Sequence, residues 1–224
     1  MVYRHSSLSS LSTSPSPPTR RPFLLSHGTT TLAFVFQGGV IAAADTRASC
    51  SGLVSCPSVQ KILPIHSHLL VTTSGSGLRH GCRLSITSSA KLLSHILEPF
   101  KGTDVCVAAI LSGSDVEELF YVCSDGTRLQ GEFFSVGSGS PYAYAVLDGG
   151  VRWSLREEEA ISLAREIVYR ATHRDACSGN CVDLFHITAQ GYSHRDREDL
   201  REELATLWER ESKTPACMSE HCES

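Results

Sequence analysis

Apolar and β-branched residues begin to recur at Gly28. Thr29-Thr30-Thr31-Leu32-Ala33-Phe34-Val35-Phe36 alternates loosely, Gln37-Gly38-Gly39 reads as a turn, and Val40-Ile41-Ala42-Ala43-Ala44-Asp45 is an apolar run ending on a carboxylate. Two such runs across a glycine-rich turn predict a hairpin buried on both faces. Further strands are predicted over 61–65, 69–74, 105–111, 118–123 and 182–188. A helix over 88–97 aligns Ala90, Leu93 and Leu97, with Ser85 or Thr87 placed to cap it. A second, over 155–172, aligns Ala160, Ile161, Ala164, Ile167, Val168 and Ala171 at helical spacing. Its start is acidic (Glu157, Glu158, Glu159) and its end basic (Arg170, His173, Arg174), as the helix dipole favours. A short helix is expected after Pro141. Leu200, Leu204 and Leu207 suggest a surface helix over 196–210. Strands, then helices, then a strand predict an α+β fold with helices layered on antiparallel sheet.

Residues 1–27 break this pattern. They hold eight Ser, four Pro, three Arg and no acid. Such a segment buries too little apolar area to order itself and reads as a leader. The prolines argue against the amphipathic helix of a transit peptide. The 224 residues are 41% hydrophobic and 20% charged, with net charge −4. That balance suits one globular domain and offers no basic surplus for nucleic acid. No apolar run approaches the roughly 20 residues of a membrane helix. The nine cysteines, with no secretory signal, read as reduced thiols.

Five segments carry residue types suited to chemistry. Cleavage between Gly28 and Thr29 would free Thr29, a hydroxyl nucleophile beside its own α-amine, whose pKa near 7.7–8.0 suits a proton acceptor; on this triplet alone the plain reading, that Thr29 begins a strand, prevails. Asp45 ends the returning strand, and Lys61 is the cation that could pair with it; a surface pair is the plain alternative. Ser74-Gly75-Ser76-Gly77 can present backbone N–H groups as an oxyanion hole. Gly137-Ser138-Gly139-Ser140 and His173-Arg174-Asp175-Ala176-Cys177-Ser178-Gly179 can bring hydroxyls and a carboxylate, or be loops.

Together, in this order, the segments resemble the catalytic β subunits of the 20S proteasome, a match running from Gly28 to about Tyr192. Within that family the chain is most similar to the chymotrypsin-like class and, from Asp45-Thr46-Arg47-Ala48-Ser49-Cys50, Ser124-Asp125-Gly126-Thr127-Arg128-Leu129-Gln130-Gly131 and Val182-Asp183-Leu184-Phe185-His186, to its thymus-specific form. The resemblance implies an N-terminal-nucleophile hydrolase fold, a four-layer αββα sandwich. It implies a zymogen of a threonine endopeptidase with Thr29 as nucleophile and base. Asp45 and Lys61 tune Thr29, Gly75 binds the oxyanion, and Ser138, Asp175 and Ser178 support the new N-terminus. Ala48, Ser49, Thr73 and Gly77 line the pocket; the small, polar Thr73 implies a weaker preference for large hydrophobic residues. No cofactor and no metal are implied. The implied partners are the other α and β subunits of the particle and unfolded polypeptides, in cytoplasm and nucleus, with neither nucleic acid nor membrane.

The implied domains are a disordered propeptide over 1–28, the hydrolase domain over 29–192 and a charged tail over 193–224. One departure stands out: after Gly77 the family carries a helix of roughly 18 residues that is missing here. Asn180 also replaces a glycine, at a turn where Asn accepts positive φ. Two other readings compete. One is a non-catalytic or assembly-defective ring subunit. The other is a metal module of His173, Cys177, Cys181, Cys217 and Cys222, whose spacing fits no usual zinc ribbon. A serine hydrolase is disfavoured by the lack of G-x-S-x-G.

Overall fold

The computed structural model describes residues 27–50, 53–74, 85–101, 108–113 and 118–200. Thirteen strands and three α-helices occur in these residues: β1 (His27–Gly28), β2 (Thr31–Phe36), β3 (Gly39–Asp45), β4 (Ala48–Cys50), β5 (Leu53–Cys56), β6 (Ile62–His66), β7 (Leu69–Ser74), α1 (Ile86–Leu97), β8 (Ala108–Gly113), β9 (Leu119–Cys123), β10 (Arg128–Gly131), β11 (Phe133–Val136), α2 (Ser140–Gly150), α3 (Glu157–Arg174), β12 (Cys181–Thr188) and β13 (Gly191–Asp199).

Two five-stranded sheets, ordered β11-β2-β3-β12-β13 and β10-β9-β8-β7-β6, lie face to face. Both strands of the β2–β3 hairpin are buried along their whole length, because both faces meet apolar layers. Leu32, Phe34, Ile41 and Ala43 face α2 and α3 through Leu147, Ile161, Ala164 and Ile167. Ala33, Val35, Val40 and Ala42 face the second sheet through Ile62, Leu70 and Ile110. The outer face of that sheet, with Leu69, Val71, Leu111, Phe120 and Val122, is covered by Ile86, Ala90, Leu93 and Leu97 of α1. The order helix, sheet, sheet, helix is the αββα sandwich that the sequence implies. Burying a side chain such as Phe34 contributes about 1.5–3 kcal/mol, and Phe34→Ala would cost about 3–5 kcal/mol.

Ser85 is the cap of α1: its hydroxyl accepts from Ser88 N at 3.3 Å. Acidic residues open α3 and His173 and Arg174 close it, as expected. Two boundaries need correction. Residues 191–199 form β13, antiparallel to β12, so neither a tail begins at 193 nor a helix at 196; Leu200 is helical, and the rest of the expected 196–210 helix lies outside the described residues. The charges there suit an edge strand, and Arg195 and Arg197 reach Glu157 and Asp183 at 3.0 and 2.6 Å. The small sheet β1-β4-β5 carries no alternation that predicts it. The family helix after Gly77, residues 1–26 and residues beyond 200 lie outside the described residues.

Candidate active site

The hairpin register places Asp45 beside Thr30, so the carboxylate returns to the start of β2. Asp45 N donates to Thr30 O at 3.0 Å, and Thr30 N donates to Asp45 Oδ1 at 2.8 Å. Lys61 stands at the entry to β6, in the other sheet, and spans the gap between layers. Its Nζ lies 2.6 Å from Asp45 Oδ1. Asp45 is 0% exposed and Lys61 4%. The other carboxylate oxygen accepts from Gly179 N at 2.8 Å and Arg47 N at 3.2 Å. Burial raises the Asp45 carboxyl above the usual carboxylate range, against the opposing pull of Lys61. Burial likewise lowers the Lys61 ammonium below the usual lysine range, against Asp45.

Two loops complete the cluster around Thr29, which is itself buried. The turn from β11 into α2 brings Ser138, whose Oγ accepts from Thr29 N at 3.2 Å and donates to Asp175 Oδ2 at 2.5 Å. The loop from α3 to β12 brings Ser178, which donates to the same Oδ2 at 2.6 Å and accepts from Thr30 Oγ1 at 2.9 Å. Asp175 also holds its own loop, accepting from Cys177 N at 3.0 Å. Gly139 N donates to Thr29 O at 3.2 Å. Gly137 has φ +111°, and a Cβ there would stand 2.0 Å from Thr29 O; only glycine allows this approach.

The peptide bond ahead of Thr29 passes through the cluster. Thr29 Oγ1 donates to Gly28 O at 2.7 Å, and Lys61 Nζ donates to the same oxygen at 3.5 Å. Gly28 pairs with Ser49 across β1 and β4. A Cβ on Gly28 would stand 2.1 Å from both Cβ and O of Cys177. A hydroxyl nucleophile, a nearby cation and a hydroxyl–carboxylate relay thus surround one carbonyl. That arrangement suits acyl transfer at Gly28–Thr29.

Of the residues singled out in the sequence, Thr29, Asp45, Lys61, Ser138, Asp175 and Ser178 come together here. Ala48 lies on β4 opposite Cys56. Ser49 meets Gly28 through the main chain, while its hydroxyl donates to Cys177 O at 2.8 Å. Thr73 lies on β7 opposite Ala109. Gly75 and Gly77 lie outside the described residues, as do Cys217 and Cys222. Among the described residues no three His, Cys, Asp or Glu side chains converge as metal ligands, and His173 stacks on Tyr169. Thr30, Gly139 and Cys177 were not singled out as site residues. The glycines of 137–139 and the Asp175–Gly179 run were the available signal, but most of these contacts run through main-chain atoms.

The proteasome subunit family model matches residues 25–78 and 76–187. The chain is 39% identical over 205 residues to a probable proteasome subunit beta type-5 of Schizosaccharomyces pombe, covering 83% of this chain and 74% of that protein. It is 40% identical over 195 residues to proteasome subunit beta type-5-A of Arabidopsis thaliana, covering 78% and 71%. It is 39% identical over 200 residues to proteasome subunit beta type-8 of Homo sapiens, covering 80% and 72%.

Proposed function

We propose, from the premise that this chain belongs to the proteasome subunit family, that it is a threonine endopeptidase of the 20S core, made as a zymogen and cut between Gly28 and Thr29. Members of this family work as subunits, assembled with other α and β chains. The observation that carries the reading is the 2.7 Å contact between Thr29 Oγ1 and Gly28 O, inside a cluster that holds the Thr29 nitrogen on Ser138.

In the uncut chain the Thr29 nitrogen is an amide and has no basic lone pair. Attack of Oγ1 on the Gly28 carbonyl carbon forms a C–O bond and breaks the C–N bond. The hydroxyl proton passes to the leaving nitrogen, and water then hydrolyses the ester. The freed amine, near neutral pKa, afterwards takes the hydroxyl proton when Oγ1 attacks a substrate carbonyl. The Lys61 charge favours the alkoxide, and Asp45, buried beneath it, fixes its position. Ser138 and Asp175 orient the amine and stabilise it once protonated. Gly75 is the proposed oxyanion donor, and Ala48, Thr73 and Gly77 the proposed pocket.

The substrates proposed are unfolded polypeptides, the site cytoplasm and nucleus, and the physiological role peptide production for T-cell selection in the thymus. N-terminal sequencing of the chain purified from cells tests the reading. A mature chain beginning at Thr29 supports it, and a chain retaining its leader in assembled particles overturns it.

A second reading, a ring subunit that is silent or fails to assemble, has its own support. The family match divides in two at residues 76–78. In the yeast comparison 83% of 224 residues, about 186, is spread over 205 aligned positions. About 19 positions therefore have no counterpart here, in keeping with a lost helix. The same sequencing, done on particles, separates the readings.

A further inference from the structure

Lys61 is buried, yet it follows directly on an exposed loop: Pro57, Ser58 and Gln60, between β5 and β6, all face water. A loop of this kind packs too little apolar surface to fix itself, so its hydrogen bonds decide where it lies. Pro57 O accepts from Thr46 Oγ1 at 2.8 Å and from Asn180 Nδ2 at 2.9 Å. Val59 N donates to Thr46 O at 2.8 Å, and Arg197 donates to Ser58 O at 3.4 Å.

Asn180 is an uncommon residue for its place. Among the described residues it alone, glycines apart, has a positive φ, +74°. That conformation is strained for a residue with a Cβ, and glycine adopts it freely. The side chain offers what glycine lacks. Oδ1 accepts from Nε and Nη2 of Arg47 at 3.1 and 2.9 Å, while Nδ2 donates to Pro57 O. The amide faces only this way, because the reverse would set N–H against guanidinium N–H and oxygen against a carbonyl. The preceding residue, Gly179, donates its N–H to Asp45 Oδ2 at 2.8 Å, and its carbonyl accepts from Thr46 N and Arg47 N at 3.3 and 3.2 Å. One side chain thus ties the loop ahead of Lys61 to the segment after Asp45 and to the turn that holds the Asp45 carboxylate.

We infer that Asn180 is a positioning residue: through Pro57 and Arg47 its amide holds Lys61 against Asp45, beside the Gly28 carbonyl. The brace itself is geometry; its effect on rate rests on the protease reading. Lys61 Nζ stands 3.5 Å from Gly28 O. A cation displaced from that oxygen costs rate rather than binding.

The test uses the full-length chain and its Asn180→Gly and Asn180→Asp variants. Glycine keeps the turn and loses the amide; aspartate keeps the acceptor for Arg47 and loses the donor to Pro57. Acetylation of Lys61 by acetic anhydride, mapped by peptide mass, reads the brace without regard to activity. Both variants should raise its rate about two- to tenfold, the scale of one lost hydrogen bond. Leu147→Val, a core variant on α2, should not. Self-cleavage at Gly28–Thr29 should slow by a similar factor in both variants, and kcat of the mature enzyme should fall with KM unchanged. Unchanged acetylation of Lys61 in either variant overturns the proposal, as does faster acetylation with cleavage at the parent's rate. An equal rise in Leu147→Val overturns it too. If the parent itself does not cut, the protease reading fails and acetylation alone decides the brace. If Asn180→Asp does not fold, Asn180→Gly decides.

Discussion

Asp45 and Lys61 meet at 2.6 Å between the two sheets, both all but sealed from water. Such a pair is a weak source of stability, because desolvating two ions offsets much of their attraction. Breaking it is another matter. Lys61→Met leaves a buried carboxylate unpaired and is expected to lower stability by about 3–5 kcal/mol, read from urea unfolding. Asp45→Asn with Lys61→Met should recover most of that loss while leaving the site unable to process. A Lys61→Met variant as stable as the parent would contradict the buried pair.

The same pair sets a pH dependence. Burial lowers the Lys61 ammonium below its ordinary 10.5. Between the lowered value and 10.5 the unfolded chain therefore holds more protons than the folded one. Stability contributed by this group rises with pH across that window and levels off above it. Burial raises the Asp45 carboxyl above its ordinary 3.8, so the folded chain holds the extra proton and stability falls as pH climbs from 3.8 to the raised value. Melting curves across both windows, compared with Asp45→Asn/Lys61→Met, should show the two slopes with opposite sign.

Gly28→Ala is expected to slow self-cleavage by about ten- to a hundredfold, since overpacking a tight contact costs about 1–3 kcal/mol. The added methyl meets the Cβ and carbonyl of Cys177 at 2.1 Å, and Ser49 holds that carbonyl in place. Intact mass of the accumulated chain reports the outcome. Normal processing of the alanine variant would mean that the loop at 175–178 yields.

Ser138→Ala removes the hydroxyl that takes Thr29 N–H and hands its own proton to Asp175. We expect kcat of the mature enzyme to fall by about ten- to a hundredfold with KM little changed, in line with losing a positioned proton-transfer partner. A rise in KM at constant kcat would instead place Ser138 in substrate binding.

Thr73 carries a preference prediction. With a small polar residue at that proposed pocket position, fluorogenic peptides ending in large hydrophobic residues should enjoy no strong advantage over those ending in small ones. A strong advantage removes Thr73 from the pocket.

Periodicity was informative where burial is continuous. β2 and β3 are apolar on both faces because a layer covers each face, and α3 shows its stripe because one side meets a sheet. β4 and β5 gave no such signal: Leu53 and Val54 are exposed, and the little sheet is held by main-chain pairing to the leader and to itself. At β13 the strand is set by pairing with β12 and by ion pairs to Glu157 and Asp183, which leave no period in the sequence; the leucine spacing that pointed to a helix begins at Leu200, just past its end. Thr29 and the five residues that gather around it were legible as ordered motifs. The backbone roles of Thr30 and Arg47 toward Asp45, and of Gly139 toward Thr29, were not, since hydrogen bonds from backbone N–H are independent of side-chain identity. Asn180 illustrates the mixed case. Its φ of +74° was foreseeable from its glycine-like position, but its grip on Arg47 and Pro57 was not.

The short pairing of His27 and Gly28 with β4 puts the two residues ahead of Thr29 on the strand edge leading to it. On the proposed cut between Gly28 and Thr29, a peptide seeking that edge would wait for the same bond to break that frees the amine. Each molecule would then carry one obstruction, removable once, its removal coinciding with arming. The count of open clefts would equal the count of completed cuts, and partial maturation would yield fewer working sites rather than weaker ones.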